Sequence, residues 1–254
     1  MGILRGLLLP VSLLVAWQLA SVYELFNPYL LPPPSKVFAS FQQLCASGVL
    51  AKHLLISLQR VALGFTISCL LAIPLGVLCG QSRRFQDYCW LLLEFLRHIP
   101  PLAAVPLIIL WAGIDEASKL TIIVLASFFP LFLNTYSGIH NCDTRLLEVG
   151  RSLGFSRSEL IKNIRMPAAL ESIAVGMQLS LGYSWRALIG AELIAASAGI
   201  GYLILDAEEM SRPDVVIVGM LAIGFIGSAV DYGFMLVIKR FFPWREQKAG
   251  GKNG

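Results

Sequence analysis

An all-α integral membrane protein is the fold class this sequence predicts, and three observations predict it. The 254 residues are 56% hydrophobic and only 14% charged, against about 25% charged in an ordinary soluble domain. Mean hydropathy is +0.71. The apolar residues also run in stretches of about 20 or more, the length that crosses the hydrocarbon core of a bilayer. A soluble fold of this composition could bury one core but could not solvate the rest of its surface. This argues against an ordinary cytosolic enzyme.

Six spans account for the apolar stretches, at about 6–26, 54–80, 89–113, 120–139, 168–198 and 215–238, and the chain 1–254 reads as one transmembrane domain. The second carries Arg60 near its start. The third holds Glu94, Arg97 and His98 and is interrupted by Pro100, Pro101 and Pro106, the fifth holds Arg186 and Glu192, and the sixth holds Asp231. Gly76 to Gly80 is a GxxxG pattern that permits close helix packing. Basic residues orient the set, because cytoplasmic loops are enriched in them. With the N-terminus inside, thirteen of the 20 Lys and Arg residues face the cytoplasm: Arg5, Arg83, Arg84, five between Asn141 and Pro167, and five in the tail. Lys36, Lys52, Lys119 and Arg212 fall on the opposite side. Both termini are then cytoplasmic. The first span could be a signal peptide, but no Ala-x-Ala-like site follows it, so a retained anchor is expected.

Between the first two spans lies an outer segment, Asn27 to His53, in which Pro32, Pro33 and Pro34 force an extended approach. Ser35 is predicted to cap an amphipathic helix using Val37, Phe38, Phe41 and Leu44. The five cysteines are an odd number without metal-ligand spacing, so neither a disulfide framework nor a metal site is expected.

The segment 143–167 between the fourth and fifth spans is the most informative. Asp143 predicts a helix start, and Leu146, Leu147, Gly150 and Leu153 fall at helical spacing. Gly154 suits the left-handed position that stops a helix. Ser156-Arg157-Ser158-Glu159 reads as a capping box, Leu160, Ile161 and Ile164 share a face, and Pro167 is expected to end this second helix. Three readings fit such a helix–turn–helix. A DNA-binding element could not easily reach a groove while both its ends are tethered to a bilayer, so no nucleic acid is expected. The others are an amphipathic loop resting on headgroups and a docking element for a soluble partner.

Glu148-Val149-Gly150-Arg151-Ser152-Leu153-Gly154, nine residues, then Ile164-Arg165-Met166-Pro167 resembles the EAA signature of binding-protein-dependent ABC transporter permeases, with Val149 and Gly150 in place of two alanines and Met166 in place of leucine. Leu31 to Pro34, Arg97 to Ala103, Pro106 to Gly113 and Gly199 to Leu203 look like the permeases for aliphatic sulfonates, taurine and nitrate. The resemblance covers nearly the whole chain. It implies the type I ABC importer permease fold (MetI-like) and a multi-pass position in a bacterial inner membrane. It also implies a homodimer, two ATPase subunits, and a periplasmic or lipid-anchored solute-binding protein. Glu148, Gly150, Gly154, Ile164, Met166 and Pro167 would then belong to the coupling segment seated on the ATPase.

No GxxxxGK[ST] loop occurs in the sequence, so energy for transport must come from another subunit or from an ion gradient. The resemblance implies that ATP and Mg are bound by the partner ATPase, and no catalytic residue or cofactor is expected here. Intramembrane ionisable residues are functional candidates because each is costly to insert. Arg186 could offer a fork of donors to an anionic substrate and Glu192 could help close a gate. Alternatively each pairs with a residue on a neighbouring helix or subunit, such as Glu94 or Asp231. Six residues is about 1.7 turns, so on an unbroken helix the two point to different faces; a break near Gly190 would change that. Arg97 and His98 precede a double proline that either opens backbone to a polar path or only kinks the helix while Arg97 snorkels. The rival function is an ion-driven transporter or channel with Glu192 and Asp231 as relay; a scaffold without a transport path is the third.

Overall fold

A computed structural model describes residues 2–23, 25, 27 and 29–241, without the side chains of 2–7 and 195. The side chain of Arg5, residues Glu24 and Phe26 of the first predicted span, and the tail from residue 242 lie outside the described residues. All regular structure among the described residues is helical. The helices are α1 (Gly2–Val22), α2 (Pro34–Ala46), α3 (Val49–Gln81), α4 (Arg83–Arg97), α5 (Val105–Ala112), α6 (Glu116–His140), α7 (Thr144–Ser152), α8 (Arg157–Leu160), α9 (Met166–Ala195), α10 (Ile200–Glu209) and α11 (Pro213–Phe241). A 3₁₀ turn at Pro101–Ala104 precedes α5, and a π-turn at Ile161–Arg165 joins α8 to α9.

Helices α3, α6 and α11 are long and apolar enough to cross a membrane on their own. The third predicted span is instead two helices. α4 and the 101–112 segment meet at 86°, because Pro100 is extended and starts the 3₁₀ turn at Pro101. α9 has 30 residues, which is length enough, but Glu171, Arg186 and Glu192 interrupt its apolar run. α1 supplies a shorter apolar stretch, Leu8–Val22. Among the described residues each of the six predicted segments overlaps a helix, with ends displaced by several residues. The largest displacement is at the fifth, where α9 stops at Ala195 and the chain breaks before α10.

The chain divides into two compact units, Met1–Leu58 with Glu192–Ile226, and Gln59–Ala191 with Gly227–Gly254. In the second unit α3 lies on α6 through a seam of small residues spaced four apart: Gly64, Ser68, Ala72, Gly76 and Gly80. A Cβ on Gly76 would sit 2.7 Å from the Cβ of Thr135 and 3.0 Å from the Phe132 carbonyl. On Gly80 it would sit 2.8 Å from the Cβ of Ile139. Within the seam the Ser68 and Ser127 hydroxyls are 2.5 Å apart, and the Ser180 hydroxyl of α9 donates to the Ser127 carbonyl at 2.7 Å. Dispersion and interhelical hydrogen bonds, both needing short range, hold membrane helices together. Phe132, Leu131, Ile139 and Ile173 fill the core beside the seam, and Val105, Ile108, Ile122, Ala126 and Ala187 fill another under α5. Gly76→Ala is therefore expected to lower the thermal midpoint of the detergent-solubilised protein, at a cost of about 1–3 kcal/mol from overpacking. Gly224→Ala, whose Cβ meets nothing within 4 Å, should leave it unchanged or raise it slightly, since alanine is the better helix former.

In the first unit α2 starts two residues earlier than a cap at Ser35 predicts. Pro33 is its extended N-cap and Pro34 its first residue, since a proline there has no N–H to leave unsatisfied. Val37 and Ser40 face inward while Phe38 and Phe41 are exposed. The Ser40 hydroxyl donates to the buried Asp214 carboxylate at 2.5 Å, and Arg212 pairs with the same carboxylate at 3.2 Å. This ties α2 to the start of α11.

Candidate functional site: a capped hairpin and buried charges

The 143–167 segment is a hairpin held at every turn by local chemistry. Asp143 accepts from the Arg145 N–H at 2.9 Å and opens α7. Gly154 has φ +80°, and the Gly154 N–H to the Arg151 carbonyl and the Phe155 N–H to the Gly150 carbonyl, each 3.0 Å, close a Schellman stop. Ser156 and Glu159 form the reciprocal box, with the Ser156 N–H donating to Glu159 at 2.8 Å. The bonds from the Ser156 side chain and backbone hold the Glu159 carboxyl below the usual carboxylate range. The box is accordingly intact at neutral pH and is lost only as pH falls through that lowered value.

Two expectations change here. Pro167 does not end the second helix. The chain winds through the π-turn, with the Met166 N–H donating to the Ile161 carbonyl, and Pro167 becomes the second residue of α9. A wide turn beside a residue without an N–H keeps the path helical. The apolar residues of α7 also split over two faces. Leu147 and Gly150 are buried, and a Cβ on Gly150 would sit 2.5 Å from Ile164 Cδ1 and 2.6 Å from Leu160 Cδ2, so this glycine lets the two arms touch. Leu146, Val149 and Leu153 are 50%, 58% and 69% exposed. They form an outward ridge beside a recess of about 350 Å³ that also includes Ile164 and Pro167. Glu148 is exposed next to this ridge, and Met166 is half-buried behind it.

Glu192 is 0% exposed and caps α10. Its carboxylate accepts from the Ser57 hydroxyl at 2.8 Å and from the Gly201 N–H at 2.9 Å. Ser57 in turn accepts from the Ile200 N–H at 2.9 Å, and His53 Nδ1 accepts from the Gly199 N–H at 3.0 Å. Three side chains thus take up the first N–H groups of a helix, which otherwise lack partners, and the acid sits at the end where negative charge is favoured. Neither Ser57 nor His53 was singled out from sequence. The Gly199-x-Gly201 pair after an acid is the one local sign of such a break.

Arg186 lies elsewhere on α9, exposed, its guanidinium carbon 5.5 Å from the Tyr183 ring centre. α9 is unbroken at Gly190, where Leu102 packs closely, so Arg186 and Glu192 remain on different faces. Within the chain Glu94 pairs with Arg97 at 2.5 Å and Asp231 accepts from Gln178 at 3.4 Å. His98 caps α4, its Nδ1 2.7 Å from the Glu94 carbonyl. An ionic cluster not foreseen from sequence joins α3 to α6. The Arg60 side chain, 5% exposed, donates to both Glu116 oxygens at 2.7 and 2.5 Å, and the buried Lys119 reaches the same carboxylate at 3.5 Å. Among the described residues all five cysteines are free.

Such an assembly, long apolar helices carrying a capped hairpin between two of them, defines a polytopic membrane protein. Residues 72–246 match the binding-protein-dependent transport system inner membrane component family, and the chain belongs to that family. It is 39% identical over 98% of its length, and 90% of the relative, to the protein of Bacillus subtilis (strain 168) named as an aliphatic sulfonates transport permease, SsuC. It is 32% identical over 91% of its length, and 86% of the relative, to the taurine transport system permease protein TauC of Escherichia coli (strain K12). Its fold matches a chain of the inward-facing MetNI methionine ABC transporter with a TM-score of 0.60 at 12% identity, over 74% of this chain and 97% of the other. The fold is thus that of a type I importer permease.

Proposed function

We propose that this chain is the membrane permease of an ATP-driven importer that moves a small oxoanion of the aliphatic sulfonate, taurine or nitrate class into the cytoplasm. The observation that carries this is the hairpin: a rigid, doubly capped element presenting an apolar ridge of Leu146, Val149 and Leu153 and continuing without interruption into α9. A partner that displaces the hairpin would displace α9 with it. The partner is an ATPase subunit, two of them serving a homodimer of this chain. They bind ATP and Mg, and a periplasmic or lipid-anchored binding protein supplies the substrate. Both termini and the hairpin face the cytoplasm. Glu148 and Gly154 meet the ATPase beside the ridge, while Gly150, Ile164, Met166 and Pro167 set the angle between the arms. ATP would bias a two-state alternation embodied in this chain. Arg186 offers its donors to the anion, Arg97 and His98 mark the bend along its path, and Glu192 holds the outer gate through α10.

The test is co-purification of ATP hydrolysis with this chain from its native membrane in mild detergent. A Cβ on Gly154 meets nothing within 4 Å, so Gly154→Arg fills the space in front of the turn without an internal clash. It is expected to abolish the co-purifying activity, while Gly154→Ala, which carries only the left-handed backbone cost of about 1 kcal/mol, keeps most of it. A folded chain that brings down no ATPase would overturn the reading in favour of ion-driven transport through Glu192 and Asp231. Uptake that prefers an uncharged or cationic compound would remove Arg186 from the substrate path.

A further inference from the structure

We infer that the inner side of the hairpin is a binding site for the phosphate of an anionic phospholipid headgroup. Arg151 of α7, Arg157 at the start of α8 and Arg165 at the end of the π-turn line one cavity of about 370 Å³, together with Gln81 at the end of α3 and the side chains of Leu147 and Leu160. No acidic residue lines it. None of the three guanidinium groups makes an ion pair or side-chain hydrogen bond among the described residues. Three like charges around one recess repel each other, and an anion between them reverses the sign. The guanidinium fork matches phosphate oxygens in pairs, and the amide of Gln81 adds a donor.

Two features select a lipid over other phosphates. The arginines stand beside apolar walls, as a glycerol backbone and the start of an acyl chain require. The cavity also opens at the end of α3, a helix of membrane-crossing length, where headgroups lie. Side chains of α7 turn about 100° per residue, so Leu147 and Arg151 look away from the ridge of Leu146, Val149 and Leu153. The two recesses share no residue. The assignment rests on the membrane reading with this hairpin at the cytoplasmic surface, where anionic lipid attracts basic clusters.

Native mass spectrometry of the purified full-length chain, exchanged into an equal mixture of phosphatidylglycerol and phosphatidylcholine, reads the site directly. The unaltered chain should retain phosphatidylglycerol at least about tenfold over phosphatidylcholine. The triple variant Arg151→Gln, Arg157→Gln, Arg165→Gln should lose that preference, and each single variant should lose part of it. Equal retention of the two lipids by the unaltered chain overturns the assignment whatever the variants do. So does a preference that survives the triple substitution. Displacement of the lipid by millimolar inorganic phosphate would assign the cavity to free phosphate. A triple variant that keeps its lipid but no longer co-purifies ATPase activity would assign the arginines to a protein contact. The lipid readout uses the isolated chain, so its failure and the failure of ATPase docking are told apart.

Discussion

Gly199→Ala is expected to lower the thermal midpoint of the purified protein by about 10 °C, through two independent costs. Gly199 sits at φ +123° and ψ 170°, a region that essentially only glycine occupies and that costs other residues about 1–3 kcal/mol. The added methyl would also lie on top of the Glu192 carboxylate. The acid would have to leave the N–H of Gly201 and the hydroxyl of Ser57, so a buried cap would be lost as well. Gly154→Ala separates the two costs, because Gly154 also has positive φ but opens onto empty space. It should show only the backbone part. Glu192→Gln should fall between them, since the amide keeps one acceptor for the Gly201 N–H while its NH₂ is brought against other donors. A melting curve for Gly199→Ala that matches the one for Gly154→Ala would show that the carboxylate contact contributes nothing.

Glu116→Ala should destabilise by about 2–3 kcal/mol, far more than an ordinary surface pair. Glu116 is itself largely exposed, which softens the loss, but it is the carboxylate shared by two buried cations, Arg60 and Lys119. Removing it takes the shared anion away from both cations at the α3–α6 contact. The conservative Glu116→Asp should recover only part of the loss, because the shorter side chain cannot meet both the Nε and the Nη2 of Arg60. Thermal unfolding in the same detergent checks both. If Glu116→Ala and Glu116→Gln melt with the unaltered protein, the cluster is a coincidence of position and not a clamp.

What could be read from the chain alone was the part written locally. Asp143, Gly154 and the Ser156–Glu159 box each act within three residues of themselves, and each does in the structure what its neighbours in sequence require. Pro167 misled because a proline usually ends a helix, whereas a π-turn immediately before it absorbs the missing N–H. The bend of 86° between α4 and the following segment was signalled by Pro100 and Pro101, but its size depends on packing around Val105 and Ile108. The Glu192 cap was hidden for a different reason. Ser57 is 135 residues away, and the run 196–199 is composed of small residues that read as a continuation of an apolar helix. The candidate site therefore divides the same way: the hairpin was visible, while the partners of Arg60 and Glu192 were not, since no periodicity within one helix can name a residue on another.

The π-turn has a consequence for how the chain could be altered or could have diverged. One turn that holds an extra residue offsets the angular phase of everything before it from everything after it, by about 100° for each residue gained or lost. The direction in which the ridge of Leu146, Val149 and Leu153 points, relative to the buried face of α9, is thus stored as a residue count between 161 and 165 and not in any side chain. A single deletion there would leave every residue of the ridge present and every helix formed, yet aim them a quarter-turn away from where they now face.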